Sequence, residues 1–312
     1  MGTGTGAMVI PEAAEMTICL SHADPQEAQG TAPFVSGSPR LHAAWERARH
    51  QVRGFAPDIV VFFGTDHRRA FREVIPTVAV ALSASARGDR GGPVGEYRVP
   101  GHLSRTVAAG LVDREIDAAI AYHPHLDHAF GLTARDLLGG LSTYPIIPVF
   151  LNTASPPVPT FRRAAAIGHA VHEVLVESRA RILYVGSGGL THDLPGFYPL
   201  DDGINRTEEE LNVRNARLNS ELRIPGLRFT SEWDHELLAG LATTDHAWLD
   251  STGKDIARRG GNGANEAITW VAAWAAGQAP LATLAYEFDE ENSRGMAVVA
   301  SEPPNSVPRG RV

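Results

Sequence analysis

Four histidines follow apolar, β-rich runs along the chain. They are His22 in "CLSHADP", His67 in "FFGTDHRR", His128 in "HPHLDHAFG" and His192 in "GGLTHDLP". In open α/β sheets, ligands collect outside the C-terminal ends of the strands. A fold that aligns these runs therefore brings four imidazoles to one rim. A lone histidine is ordinarily a hydrogen-bonded or surface side chain, but four at equivalent positions point to chemistry. Imidazole with a carboxylate and open coordination positions is the ligand set of non-haem Fe(II) oxygenases, and zinc also occupies it. His22 and His67 are candidates for two ligands. Glu266, in "GNGANEAITW", is the candidate carboxylate; the plainer alternative is a first-turn glutamate favoured by the helix dipole.

The glycine cluster in "VGSGGLTHDLPG" admits three readings. A Walker A loop needs a lysine that is missing here. A nucleophile elbow needs G-x-S-x-G, and Ser187 sits in Gly-Ser-Gly-Gly. The third reading is a tight turn, permitted by positive φ or close backbone approach, that aims His192 at a ligand. "LDHAFG" is expected to present His128 on a loop in the same way, with Asp127 beside it.

These residues need a scaffold, and the hydrophobic pattern supplies one. "MTICLSHADP" reads as a strand and "PRLHAAWERARHQVRGF" as an amphipathic helix. "PDIVVFFGTDH" reads as a buried parallel strand. The alternation continues through "SRTVAAGLVDREI" (helix), "DAAIAYHPHLDH" (strand and loop), "ARDLLGGL" (helix) and "YPIIPVFLNT" (strand). "TFRRAAAIGHAVHEVLVESR" is then a long helix and "ARILYVGSGG" a strand. Such a βα rhythm predicts a largely parallel sheet covered on both faces by helices. "SARGDRGGPVGE" reads as an exposed, mobile loop, and "GNGANEAITWVAAWAAG" as a helix closed by Gly277. His42, His50, His169 and His172 fall within helical patterns. The expected organisation is a leader over 1–15, one catalytic α/β domain over 16–300 with a helical elaboration at 201–260, and a tail over 301–312.

Composition narrows the function. The chain has 312 residues, 43% of them apolar, and a net charge of −8. An acidic chain without clustered Lys and Arg argues against nucleic acid or an anionic membrane as partner. No apolar run reaches the ~20 residues that span a bilayer. The first residues lack the basic and apolar regions of a signal peptide. Cys19 is the single cysteine, which excludes an intrachain disulfide and fits a cytoplasmic location.

Taken in order, "CLSHADP", "FFGTDH", "LDHAFG", "LLGGL", "PVF.N", "VGSGGLTH" and "NEAITWVAA" resemble the class III (LigB-type) extradiol ring-cleavage dioxygenases, from about Met16 to Gly277. The resemblance implies a three-layer α/β/α fold with a largely parallel or mixed central sheet. It implies Fe(II) as cofactor, held by His22, His67 and Glu266. His128 and His192 are then the acid–base pair, with Asp127 orienting His128. Expected partners are a small-molecule catechol and O₂, with assembly as a homo-oligomer. Members of the most similar type act on catechols bearing a short carboxylate chain, for which Arg68 or Arg69, directly after His67, is a candidate partner. These arginines and residues 193–230 depart from the motif pattern. The residues taken alone leave open a zinc hydrolase on the same ligands and a non-catalytic protein that retains the fold.

Overall fold

The computed structural model describes residues 14–22, 38–193 and 228–304. Most of the leader, residues 201–227 of the expected elaboration, most of the divergent stretch 193–230, and the tail from 305 onward lie outside the described residues.

The chain begins with β1 (Ala14–Ser21), α1 (Pro39–Phe55), β2 (Ile59–Gly64) and β3 (Val78–Ala81). Next come β4 (Ser85–Arg87), β5 (Val94–Glu96), α2 (Gly101–Val112), β6 (Ala119–Ala121) and β7 (His125–Leu126). α3 (His128–Leu138), β8 (Ile146–Leu151), α4 (Phe161–Leu175) and β9 (Arg181–Gly188) complete the first part. After 228 follow α5 (Glu232–Leu241), α6 (Trp248–Thr252), α7 (Ile256–Gly260), α8 (Ala267–Gly277), β10 (Ala282–Asp289) and β11 (Arg294–Ala300).

The main sheet has the order β10-β11-β1-β9-β2-β8-β3-β6. Its centre, β1-β9-β2-β8, is parallel. β3 runs antiparallel to β8 and β6 parallel to β3, while β11 and β10 add antiparallel strands beside β1. The sheet is therefore mixed. Period-two alternation divides its side chains between two cores. Met16, Ile18, Leu20, Val60, Phe62, Leu183 and Val185 pack with residues of α1 and α3. Val61, Phe63, Ile182 and Tyr184 pack with α2, α4 and α8. Three layers result, as the sequence pattern predicts. Among the described residues, no helix is long and apolar enough to cross a membrane.

The structure differs from the sequence reading in places that matter for the site. "SARGDRGGPVGE" is not a plain loop. It forms β4, a 3-10 turn at Asp89–Gly91 and β5, a hairpin whose β4 pairs in parallel with β7 in a second, three-stranded sheet. His128 is not on a loop but is the first residue of α3, whose N-cap Asp127 accepts a hydrogen bond from Ala129 N at 2.9 Å. The helix expected from Gly261 starts as a 3-10 turn, Asn262–Glu266, and becomes α-helical only at Ala267. Its left-handed C-cap is Gln278 rather than Gly277.

α4 and α8 cross on one face with their backbones close together. A Cβ built on Gly168 would lie 2.1 Å from the Ala272 carbonyl oxygen, a backbone atom that cannot rotate away. Gly168→Ala should therefore destabilise the protein by about 1–3 kcal/mol, as over-packing typically does. Guanidinium denaturation checks this; an unchanged midpoint would show that the two helices separate at no cost.

Candidate active site

The parallel strands β1, β2 and β9 end on one rim, and the segment after each delivers a histidine there. His22 directly follows β1, and its backbone N–H donates to the Gly188 carbonyl at 3.1 Å, tying it to the end of β9. Beyond β2, the Asp66 carboxylate accepts the backbone N–H groups of Arg69, Ala70 and Phe71 at 2.9, 3.0 and 3.1 Å. That cradle folds the chain back and leaves His67 at the strand end. Glu266 closes the 3-10 turn before α8. The Thr269 hydroxyl lies 2.8 Å from the Glu266 carbonyl and 3.0 Å from that of Ser187, which fixes the turn over β9. The backbone of His192 donates to Gly260 at 2.9 Å and accepts from Gly263 at 3.1 Å.

The role of the glycine cluster follows. Neither Gly188 nor Gly189 has positive φ; they are required for space. A Cβ on Gly189 would lie 2.4 Å from His192 Cε1 and 2.9 Å from Glu266 Oε2. Ser187 is no nucleophile: its hydroxyl donates to the Ala129 carbonyl at 2.6 Å, inside the core.

The polar groups converge on Glu266, which is 2% exposed. Its Oε1 lies 3.0 Å from His67 Nε2 and 3.9 Å from His192 Nε2, and its Oε2 lies 3.6 Å from His22 Nδ1. The His67 and His128 rings stack with centroids 4.4 Å apart, and His22 stands edge-on to each at 5.3 Å. All four strand-end histidines and Glu266 are thus brought together.

Asp127 takes a different partner from the one its neighbour in sequence suggests. Its Oδ2 accepts from the backbone N and from Nδ1 of His67, at 2.7 and 2.8 Å. His128 Nδ1 lies 3.9 Å from that oxygen and instead donates to Asp89 Oδ2 at 2.8 Å. Asp127 orients His67, and Asp89 orients His128. The reason is geometric: an N-cap aspartate turns one oxygen onto its own helix and leaves the other facing the neighbouring strand end.

Burial disfavours ionised groups, yet the site is charged. Burial holds His22 at about 3 and His192 at about 4, in both cases against the pull of Glu266. Burial and the His67 charge hold His128 below its ordinary range. For His67, burial is outweighed by Asp127 and Glu266, which raise it to about 10. Asp127 and Glu266 stay well below the usual carboxylate range, because the surrounding imidazoles overcome their burial. Asp66, with burial and the Asp127 charge against it, is lifted to about 7.

His22 Nδ1 and Glu266 Oε2, the atoms 3.6 Å apart, are both buried without a hydrogen-bond partner. A divalent cation among His22, His67 and Glu266 satisfies both. It also replaces the proton that His67 otherwise holds against Glu266. Asp127 stands behind His67 as an outer carboxylate would behind a ligating imidazole. Ligand atoms of His22, His67 and His128 also fall within 4.8 Å of one another. That three-imidazole set leaves Glu266 Oε2 unsatisfied, so the set containing the carboxylate fits better.

Arg69 is buried and Arg68 partly buried with φ of 58°, both within the Asp66 turn. Two further arginine charges reach the rim: Arg90 acts on His128, and Arg294 on His192 and Glu266. Asp89 and Arg294 are the site residues that the sequence reading misses.

Residues 16–298 match the family described as the catalytic LigB subunit of aromatic ring-opening dioxygenase. The chain is 34% identical over 280 residues to a 2,3-dihydroxyphenylpropionate/2,3-dihydroxicinnamic acid 1,2-dioxygenase of Paraburkholderia xenovorans, covering 84% of this chain and 88% of that one. Proteins of the same name are 31% identical in Photorhabdus laumondii (93% and 98% covered) and 32% identical in Rhodococcus jostii (76% and 81% covered). Among solved structures, an uncharacterized protein of Escherichia coli K12 superposes with a TM-score of 0.53 at 12% identity, covering 92% of this chain and 99% of that one. At that identity the likeness concerns the fold alone.

The two carboxylate–imidazole pairs should separate experimentally. Asp127→Asn is expected to weaken divalent-metal affinity by roughly 10–100-fold, the usual cost of losing the partner behind a ligating histidine. Asp89→Asn should leave metal affinity in place. Competition against a chromogenic chelator reads both; the reverse order would contradict the pairing of Asp127 with His67.

Proposed function

We propose Fe(II)-dependent extradiol cleavage of a carboxylate-bearing catechol as the function of this chain, which belongs to the LigB family of aromatic ring-opening dioxygenases. As an extradiol catechol dioxygenase it is neither a hydrolase nor a non-catalytic relative. The observation that carries the finer reading is the buried Glu266 carboxylate shared among imidazoles, with its Oε2 and His22 Nδ1 lacking partners. His22, His67 and Glu266 are the proposed ligands. Iron held there would supply Lewis acidity to the catechol oxygens and a path for electron density from the ring to O₂.

The remaining work falls to the chain's own proton carriers. Burial keeps His128 and His192 neutral near pH 7, so each ring begins as a proton acceptor. His192 Nδ1 donates to the Leu190 carbonyl at 2.8 Å, which leaves Nε2 as the acceptor facing Glu266. His128 donates from Nδ1 to the Asp89 carboxylate, which stabilises an imidazolium once the ring takes a proton at Nε2. A carbonyl gives His192 less of that support. His128 is therefore assigned to take the catechol proton, and His192 to the second proton transfer.

The names of the relatives support a catechol with a short carboxylate chain, such as 3-(2,3-dihydroxyphenyl)propionate. A carboxylate entering a dry pocket needs a cationic partner. Arg68 and Arg69 remain candidates by their adjacency to His67. The reading takes the enzyme to be a cytoplasmic homo-oligomer, where ferrous iron and the single thiol stay reduced.

Anaerobic Fe(II) reconstitution followed by oxygen uptake on a panel of catechols tests the proposal. Zinc loading with hydrolytic activity and no oxygen uptake would contradict it. His22→Ala, His67→Ala and Glu266→Ala are expected to lose iron, since three protein ligands leave little redundancy. Stoichiometric iron in Glu266→Ala would remove it from the ligand set. His128→Ala and His192→Ala should keep iron and lose roughly 10²–10⁴-fold in turnover. Loss of metal, or near-normal turnover, in either would count against its role.

A further inference from the structure

The antiparallel strand β11 reaches the site from the opposite direction to its neighbours. β1, β9 and β2 present their last residues to the rim, whereas β11 presents its first, Arg294. The register pairs Leu20 with Val298, and Ala297 N donates to Ser21 Oγ at 3.2 Å. One residue after Arg294, Gly295 N donates to the Thr191 carbonyl at 2.8 Å, directly before His192.

Alternation settles which way Arg294 faces. Met296, Val298 and Ala300 pack with Leu20 and α3, whereas Ala297 and Val299 belong to the opposite core. Gly295 lies on that opposite side, where a Cβ would meet Asp234 Oδ2 at 1.9 Å and Leu190 at 3.3 Å. Arg294 therefore shares the face of His22, which lies two residues beyond Leu20, and of α3, which begins with His128. It is partly buried, and its charge acts on Glu266 and His192. Asp289, its cross-strand neighbour, accepts from Glu291 N, Asn292 N and Asn292 Nδ2 at 3.0, 3.0 and 2.7 Å and also feels the Arg294 charge. The turn residue Arg90, exposed beside Asp89, adds a second positive charge near both His128 and Arg294.

We infer that Arg294 is the specificity-determining residue that receives the anionic substituent of the ring, with Arg90 as an outer positive charge that draws the anion in. Resting on the extradiol reading above, it places the carboxylate on the β11 side of the site rather than beside Arg68 and Arg69. An arginine fork suits a carboxylate because two parallel N–H donors match its two oxygens. A neutral alkyl substituent offers no such partner.

Steady-state oxygen uptake by the Fe(II)-loaded enzyme on 3-(2,3-dihydroxyphenyl)propionate and on 3-methylcatechol tests this. Arg294→Gln should raise KM for the propionate by roughly tenfold or more, as for loss of a charge-assisted hydrogen bond. The loss of kcat/KM on 3-methylcatechol should be much smaller. Arg294→Lys should recover part of the difference, and Arg90→Gln should raise KM for the propionate less and in a salt-dependent way. Equal losses on both substrates, a fall in kcat without a rise in KM, loss of iron, or no effect would each overturn the assignment. So would a wild-type enzyme that cleaves 3-methylcatechol with no preference for the propionate; that result would leave ring cleavage standing. A wild-type enzyme that cleaves neither would overturn both readings.

Discussion

A carboxylate that is 2% exposed, with imidazole nitrogens at 3.0, 3.6 and 3.9 Å, is the constraint around which this protein is built. Removing an ion from water is costly unless it is paired and hydrogen-bonded. In Glu266, one oxygen is met by His67, whose Nε2 lies 3.0 Å from Oε1. The other oxygen faces His22, which burial keeps uncharged near pH 7. That asymmetry leaves Glu266 Oε2 and His22 Nδ1 3.6 Å apart without hydrogen-bond partners, as a cation site would require. His22, His67 and Glu266 come from distant parts of the chain, and the close approach of Gly188 and Gly189 is what allows α8's leading turn to lie directly on β9.

A second tier of carboxylates controls what the imidazoles can do. Asp127 and Asp89 each take one Nδ1, so His67 and His128 present Nε2 toward the site. The two rings stack at 4.4 Å yet are shifted in opposite directions. Asp127 and Glu266 raise the proton affinity of His67, while burial and its neighbour lower that of His128. Within one stacked pair, two carboxylates act on one ring and one carboxylate on the other. The α3 N-terminus serves both, because Asp127 caps the helix with one oxygen and holds His67 with the other.

The layers of the fold and three of the rim histidines, His22, His67 and His192, are legible in the sequence because parallel strands end in the same direction, whereas His128 opens α3 after the short β7 of the second sheet. Each apolar run therefore announces its site residue as the polar residue that follows it. Where that logic fails, the cause is visible in the structure. Arg294 opens an antiparallel strand, so its site-facing end precedes the apolar run. Asp89 sits in a Gly-, Asp- and Arg-rich stretch whose local pattern is that of a loop. Its position is set by β4 pairing with the remote β7, a contact that no local periodicity encodes. Asp127 is adjacent to His128 in sequence, but the first residues of a helix diverge in space, and adjacency misassigns its partner. Glu266 is legible as a candidate only. A first-turn glutamate and a metal ligand look alike until the imidazoles are placed around it.

The central claim is that Glu266, His22 and His67 form one cation site and that His128 and His192 stand outside it. Anomalous diffraction at the iron edge, from crystals loaded with Fe(II) without oxygen, tests this most directly. The expected result is a single peak in coordinating contact with His22, His67 and a Glu266 oxygen, and with neither His128 nor His192. A peak among Asp89, Asp127 and His128 would contradict the claim, as would coordination by three imidazoles with Glu266 turned away.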